Sequence, residues 1–417
     1  MKKNLFDTVK TYLENGLQII TIKKPTEIAS LNIGVQVGAA CEDKKERGIS
    51  HFIEHMVFKG TINRSNEKLN SDLENLGGDY NAYTDYTATV FTTTTLKEEL
   101  DVSIELLGDL LRYPTFLEEH IEKERGVILA ELRSGKDDIE DLSFQKINDM
   151  AFTHSPLKVD VIGKESIVRG ISRENLMTYY NNHYAPNNTV ISVVSSYEHE
   201  YVLNLVKKHF NTWTRKVVNI PSIDFEQNKE KYKLTHRDNM EQSTVLYLYT
   251  FKDLTKKEEL ALRVFNHKFG ESSNSILFRE LREDRGLAYD IYTSLDLTNN
   301  LKTLYIYAAV SPEDVDATIK TIDGCIERIK KEIIVFDGNT INLMKKIFKT
   351  AIASTLEDSS DLGNYVLHQA MDSEELYQFS EDMENLDDIV AQDLYEVARK
   401  VLNKPTIHVL LCDKEES

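Results

Sequence analysis

Two stretches of this chain share one layout 214 positions apart. Residues 89–111 and 303–326 each open with β-branched and aromatic residues, cross a short polar turn, and continue with apolar residues at helical spacing. A strand that feeds a helix in this way buries one face of each against the other, and a chain that does so twice builds two related domains. The surrounding pattern alternates in the same sense. Residues 17–22, 31–37, 80–83, 88–95 and 188–195 read as strands, and 48–58, 65–76, 100–111 and 117–133 as helices. Ser65 stands where a helix N-cap belongs, and Gly77-Gly78 where a helix stops. In the second half, 243–249, 301–310 and 406–411 are strand-like, and 257–269 and 312–330 helix-like. The polar stretch 215–230, with Pro221 inside it, has the composition of a connection. The expected fold is α+β: a domain over 1–215, a linker over 216–232, and a topologically related domain over 233–417. Each is a mostly antiparallel sheet packed with helices.

Composition then removes whole classes of function. Apolar residues make up 41% of the chain and charged residues 29%, enough for two cores and a solvated surface. The net charge of −19 comes with no basic stripe, so nucleic acid is not an expected partner. No apolar run reaches bilayer length, and Lys2 and Lys3 are followed by no apolar run of signal-peptide length, so no membrane is expected either. Cys41, Cys325 and Cys412 are far apart and form no C-x-x-C pair, which points away from a disulfide framework or a cysteine metal site. A reducing cytoplasm is the expected compartment.

The chemistry is concentrated in GISHFIEHMVFKGT, from Gly48 to Thr61. On a helix, His51 and His55 stand one turn apart on one face, where both imidazoles can meet a single ion. Glu54 flanks that face. The arrangement is H-x-x-E-H, the inverse of H-E-x-x-H. A catalytic zinc site needs a third protein ligand besides, and a carboxylate from elsewhere in the chain would supply it. With eleven histidines in the chain, chance produces such a pentad on the order of a few hundredths of a time. Two buried histidines held by hydrogen bonds are therefore the alternative that the pentad alone leaves open. His267 has neither partner of the motif, and His154, His183 and His368 are isolated, as satisfied or exposed imidazoles are. No phosphate-binding G-x-x-x-x-G-K-[ST] loop and no G-x-S-x-G nucleophile elbow is present.

Taken with two further segments, this stretch resembles the inverzincin zinc metallopeptidases, the pitrilysin/insulinase family, and most closely its processing-peptidase-like branch. Gly48–Thr61 is similar to that family's active-site helix. Gly77-Gly-Asp-Tyr-Asn-Ala-Tyr-Thr84 resembles its substrate-edge strand, and Ile121-Glu-Lys-Glu-Arg-Gly-Val-Ile-Leu-Ala-Glu131 the helix that carries its third ligand. The resemblance assigns zinc, one ion per chain, to His51, His55 and Glu131, with Glu131 76 residues after His55. It assigns the proton-transferring base to Glu54 and a supporting carboxylate to Glu124, which would otherwise read as a solvated residue near a helix start. Asn81, Ala82, Tyr83 and Phe58 are the implied substrate-binding residues.

In the second half, residues 277–289 resemble the segment with the family's arginine and tyrosine. Arg282 and Tyr289 match that pair, whose role is to hold the substrate backbone and the developing oxyanion. Apart from the resemblance, they read as a surface ion-pairing arginine and a half-buried tyrosine. The chain departs from the family's pattern at Phe269-Gly-Glu-Ser-Ser-Asn274, which has a single glycine, and at residues 158–163. The implied activity is endopeptidase cleavage of unfolded or short peptides, or trimming of leader segments, inside a closed chamber. Two domains are half of a pitrilysin-type clamshell. A homodimer with sites completed in trans is thus expected, or a heterodimer with a related chain. The alternative of another class is a non-catalytic structural or partner-binding subunit.

Overall fold

Two sheets arise from the residues 6–238 and 240–412 that the computed structural model describes. The first runs in the order β1 (Asp7–Tyr12), β2 (Gln18–Lys23), β6 (Thr189–Ser195), β3 (Ile28–Val35), β5 (Thr89–Leu96), β4 (Asp79–Thr84). The second runs β7 (Lys231–Arg237), β11 (Thr406–Cys412), β8 (Ser243–Thr250), β10 (Thr303–Val310), β9 (Ala288–Asp296). Leaving β1 aside, the sheets correspond strand for strand. In each, the first pair is parallel (β2 with β6, β7 with β11) and every later pair antiparallel. The repeat seen in the sequence is therefore a repeat of topology, and the fold is α+β as expected.

The chain forms two compact units, and each is discontinuous. One holds the residues up to 133 with 159–222 and 352–380; the other holds 134–158, 223–351 and 381 onward. This differs from the single cut at 216–232, and the reason lies in two helices. Helix Ser359–Met371, late in the sequence, packs on β3 and β6 of the first sheet. There Leu362, Val366 and Leu367 close over Ile20, Ile22, Val90, Val190 and Val194. A helix from the first half, Ile139–Ala151, packs on the equivalent strands of the second sheet, β8 and β11. Apolar periodicity marks each as amphipathic but says nothing about which sheet it covers. The fit at the first sheet is close: a Cβ on Gly363 would lie 2.4 Å from Asn32 Nδ2, and one on Gly34 2.5 Å from Met371 Sδ.

The other face of the first sheet supports the residues singled out above. Helices α1 (Ile49–Val57), α2 (Asn66–Glu74), α3 (Leu100–Arg112) and α4 (Glu118–Asp137) share one core with Leu31, Ile33 and Phe91. Ser65 caps α2, accepting from the Lys68 N–H at 3.3 Å, and Gly77 follows that helix with φ +64°. The run read as one helix over 257–269 is a regular helix, Lys256–Asn266, that widens into a π-helical turn over His267–Glu271. No helix among the described residues is long and apolar enough to cross a membrane.

Candidate metal centre

The centre begins with how α1 is fixed. Its N-cap, Gly48, has φ +97°, and a Cβ there would meet the Ile162 carbonyl oxygen at 2.3 Å. Only glycine allows the chain to enter the helix at that point. Ile49, Phe52, Ile53, Met56 and Val57 are fully buried. That stripe leaves His51, Glu54 and His55 on the opposite, partly open side. On α4 the buried residues Ile121, Ile128 and Leu132 turn Glu131 toward the same spot.

His51, His55 and Glu131 converge there, and one ligand atom from each lies within 4.8 Å of the others. Glu131 Oε2 is 3.9 Å from His51 Nε2 and 3.7 Å from His55 Nε2. Tetrahedral bonds of about 2.05 Å put ligand atoms about 3.3 Å apart, so a contraction of a few tenths of an ångström would seat zinc. Two imidazole nitrogens and one carboxylate are also the donor set of a catalytic zinc site with an open position. The protonation state of His51 suits it. Burial, with the neighbouring His55, pushes His51 down to about 4, so its imidazole is neutral at physiological pH.

Behind the centre, Glu124 Oε2 lies 3.1 Å from His55 Nδ1 and Glu124 Oε1 3.0 Å from Lys59 Nζ. Burial works against the Glu124 charge, but the bonds from His55 and Lys59 outweigh it and hold the carboxyl below its usual range. An ionised carboxylate only accepts, so His55 donates through Nδ1 and turns its Nε2 lone pair toward Glu131. Burial likewise disfavours a charged His55, yet the hydrogen bond to Glu124 and the charges of Glu131 and Glu54 raise its pKa. Glu54 is pushed upward by burial, against the hydrogen bond that Thr84 Oγ1 donates to its Oε2 at 2.6 Å.

Thr84 ends β4, the outermost strand of the sheet. Asn81 is exposed on that strand, its Oδ1 accepting from the Ala82 N–H at 2.9 Å. Ala82 packs toward the α1 core, whereas Tyr83 points to the other face, where its hydroxyl meets Asn364 Oδ1 and His368 Nε2, each at 2.7 Å. Phe58 lies against the same core as Ala82, its ring 6.1 Å from that of Phe91. Arg282 and Tyr289 belong to the other unit. Arg282 is exposed with its guanidinium 5.3 Å from the Phe278 ring centre, and Tyr289, 55% exposed on β9, has its hydroxyl 3.1 Å from Ser311 Oγ. Two contributors escape a reading of the motifs. Lys59 follows His55 by four positions, a spacing that could have shown it; Thr84 depends on strand register, which the sequence does not display.

Comparison with known proteins agrees with this geometry. Residues 18–165 match the family described as Insulinase (Peptidase family M16), and residues 170–334 match the Peptidase M16 inactive domain. A Rickettsia felis protein named an uncharacterized zinc protease is 26% identical over 99% of this chain and 98% of its own. The human mitochondrial-processing peptidase subunit beta is 31% identical over 50% of this chain and 42% of its own. A Helicobacter pylori protease of known crystal structure shares the fold with a TM-score of 0.91 at 22% identity, over 98% of this chain and 100% of that one. With both M16 domains matched in sequence order, and with relatives named zinc proteases along its whole length, the chain belongs to the insulinase family, peptidase family M16.

Proposed function

We propose that this chain is a zinc-dependent endopeptidase that cleaves extended, unfolded peptides. The observation that carries the reading is the convergence of His51, His55 and Glu131, with the half-buried carboxylate of Glu54 tied to the edge strand β4 beside them. Zinc, one ion per chain on those three residues, would supply a water of lowered pKa and polarisation of the scissile carbonyl. Glu54 takes a proton from the attacking water and returns it to the leaving amine. Burial, by raising its pKa, brings it nearer the working pH and makes it a better base. Thr84 occupies one carboxylate oxygen and leaves the other for that proton.

The same threonine joins chemistry to recognition. An extended peptide that adds to the open edge of β4 lies alongside the residue holding the base in place. Pairing through Asn81, Ala82 and Tyr83 reads backbone before side chains, which favours unfolded or short peptides and leader segments. Arg282 and Tyr289, both exposed, are donors available to the substrate backbone and to a developing oxyanion. We place these functions in a reducing compartment such as the cytoplasm.

Zinc content and cleavage of a mixed peptide pool, read by mass spectrometry with a chelator control, test the reading. The expected result is stoichiometric zinc and a loss of turnover of about 10²- to 10⁴-fold in Glu54→Gln with zinc retained. A protein without zinc, or an E54Q variant that cleaves like the wild type, overturns it in favour of a non-catalytic subunit.

A further inference from the structure

The helix that carries both histidines has no capping side chain at its own start. Gly48 occupies the N-cap, and nothing there can accept from the first N–H groups. The acceptor comes from upstream. Glu42 Oε2 accepts from the Gly48 N–H at 2.8 Å, and Glu42 Oε1 accepts from the Ser50 N–H at 2.9 Å. We propose that Glu42 is a positioning residue of the metal centre, a bidentate clamp that sets the rotation and axial place of α1 so that His51 and His55 face Glu131. The proposal rests on the zinc reading above and extends it to a residue that touches neither metal nor substrate.

Three observations distinguish this from ordinary surface capping. Glu42 is only 5% exposed, which is rare for a carboxylate. Both of its oxygens are engaged, one by the N–H of the N-cap residue and one by an N–H of the first turn, two residues apart. A single-point cap leaves a helix free to roll, whereas this pair resists rolling. The cradle is itself held: Arg47, whose charge acts on Glu42, donates through Nη1 to the Ala39 carbonyl at 2.7 Å, and Ser50 Oγ lies 3.1 Å from the buried Tyr179 hydroxyl.

Placement matters because Ser50 directly precedes His51. Side-chain atoms of a helix lie about 6 Å from its axis, so a roll of about 10° moves them by about 1 Å. Zinc tolerates about 0.2 Å in its bond lengths. The negative charge at a helix N-terminus adds a favourable interaction with the helix dipole that a neutral residue of the same shape does not. Burial nevertheless pushes the Glu42 carboxyl up to about 7, against its two backbone hydrogen bonds and Arg47. The two N–H donors and Arg47 offset part of the cost of burying this carboxyl where it meets the start of the ligand-bearing helix.

The test compares metal binding with stability. Apoprotein of the wild type, of Glu42→Gln and of Val193→Ala (a truncation in the same core, on β6) is titrated with Zn²⁺ against a chromogenic chelator and with Co²⁺ for its visible spectrum, and each is melted. Glutamine can accept at only one of the two positions. The expected result is at least a 10-fold loss of affinity in E42Q with an altered Co²⁺ spectrum, while V193A binds as the wild type does whatever its melting temperature. Should E42Q not fold, Glu42→Asp, which keeps the charge and shortens the reach, is read by the same criteria. An E42Q affinity within twofold of wild type, or an equal loss in V193A, overturns the inference alone. A wild type that takes up neither metal overturns the zinc reading and the inference with it.

Discussion

At the scale of single residues, the centre is built from side chains whose protonation their neighbours decide. Glu42 makes the pH dependence of stability a direct readout. In the unfolded chain its carboxyl titrates near the ordinary value of 4.5, and in the fold near 7. The native state therefore holds this proton more tightly. The contribution to stability is fully present below about pH 4.5 and is lost as pH rises through about 7, amounting to about 3 kcal/mol. The groups that act on Glu42 are Arg47, which favours its charge, and the Gly48 and Ser50 donors; Cys41 and Tyr179 lie close enough to feel that charge. Chemical denaturation of chelated wild type and E42Q at pH 5 and pH 8 checks the sign. The stability difference, wild type minus variant, should fall by about 3 kcal/mol between the two, and a flat or rising difference would contradict a proton held by the native Glu42.

At the scale of elements, the exchanged helix predicts how the first unit behaves without its distant segment. A fragment of residues 1–222 lacks Ser359–Met371 and so exposes Ile20, Ile22, Val90, Val190 and Val194 on one face of the sheet. Such a patch drives self-association. The fragment is expected to aggregate when expressed alone and to become soluble on co-expression with residues 352–380; size-exclusion chromatography of both preparations decides it. Gly363→Leu in the co-expressed segment should abolish the rescue, because its Cβ falls against Asn32.

The same elements show what the sequence made legible. The interior strands β6, β8 and β10 are buried along their whole length and show as continuous β-branched and apolar runs, while the helices bearing His51 and Glu131 bury one face and show period 3.6. The edge strands β1 and β7 bury little, and their patterns are correspondingly weak. The candidate ligands His51, His55 and Glu131 were legible through the family resemblance, because they sit in motifs on two such helices. Glu42 was not, since it lies in an irregular segment before α1 and its partners are backbone groups, which leave no mark on composition.

At the scale of the whole molecule, the question is where Arg282 and Tyr289 act. They lie in one unit and the histidines in the other. The M16 resemblance implies four such domains around a chamber, and two compact units are described here. We propose a homodimer: closed twofold symmetry is the commonest symmetry among homo-oligomers, and such a pair would make each site from two protomers. The consequence is quantitative. Suppose Glu54→Gln and Arg282→Ala are each inactive alone, and equal amounts are mixed and allowed to exchange subunits. Random reassociation makes about half of the dimers mixed. In a mixed dimer one site has lost both functions, while the other joins the intact Glu54 of the R282A chain to the intact Arg282 of its partner. One working site in two, in half of the dimers, restores about a quarter of wild-type activity. Peptide turnover across mixing ratios measures this, with a maximum at equal proportions. A site completed within one chain, or by a different partner chain, gives no recovery at any ratio.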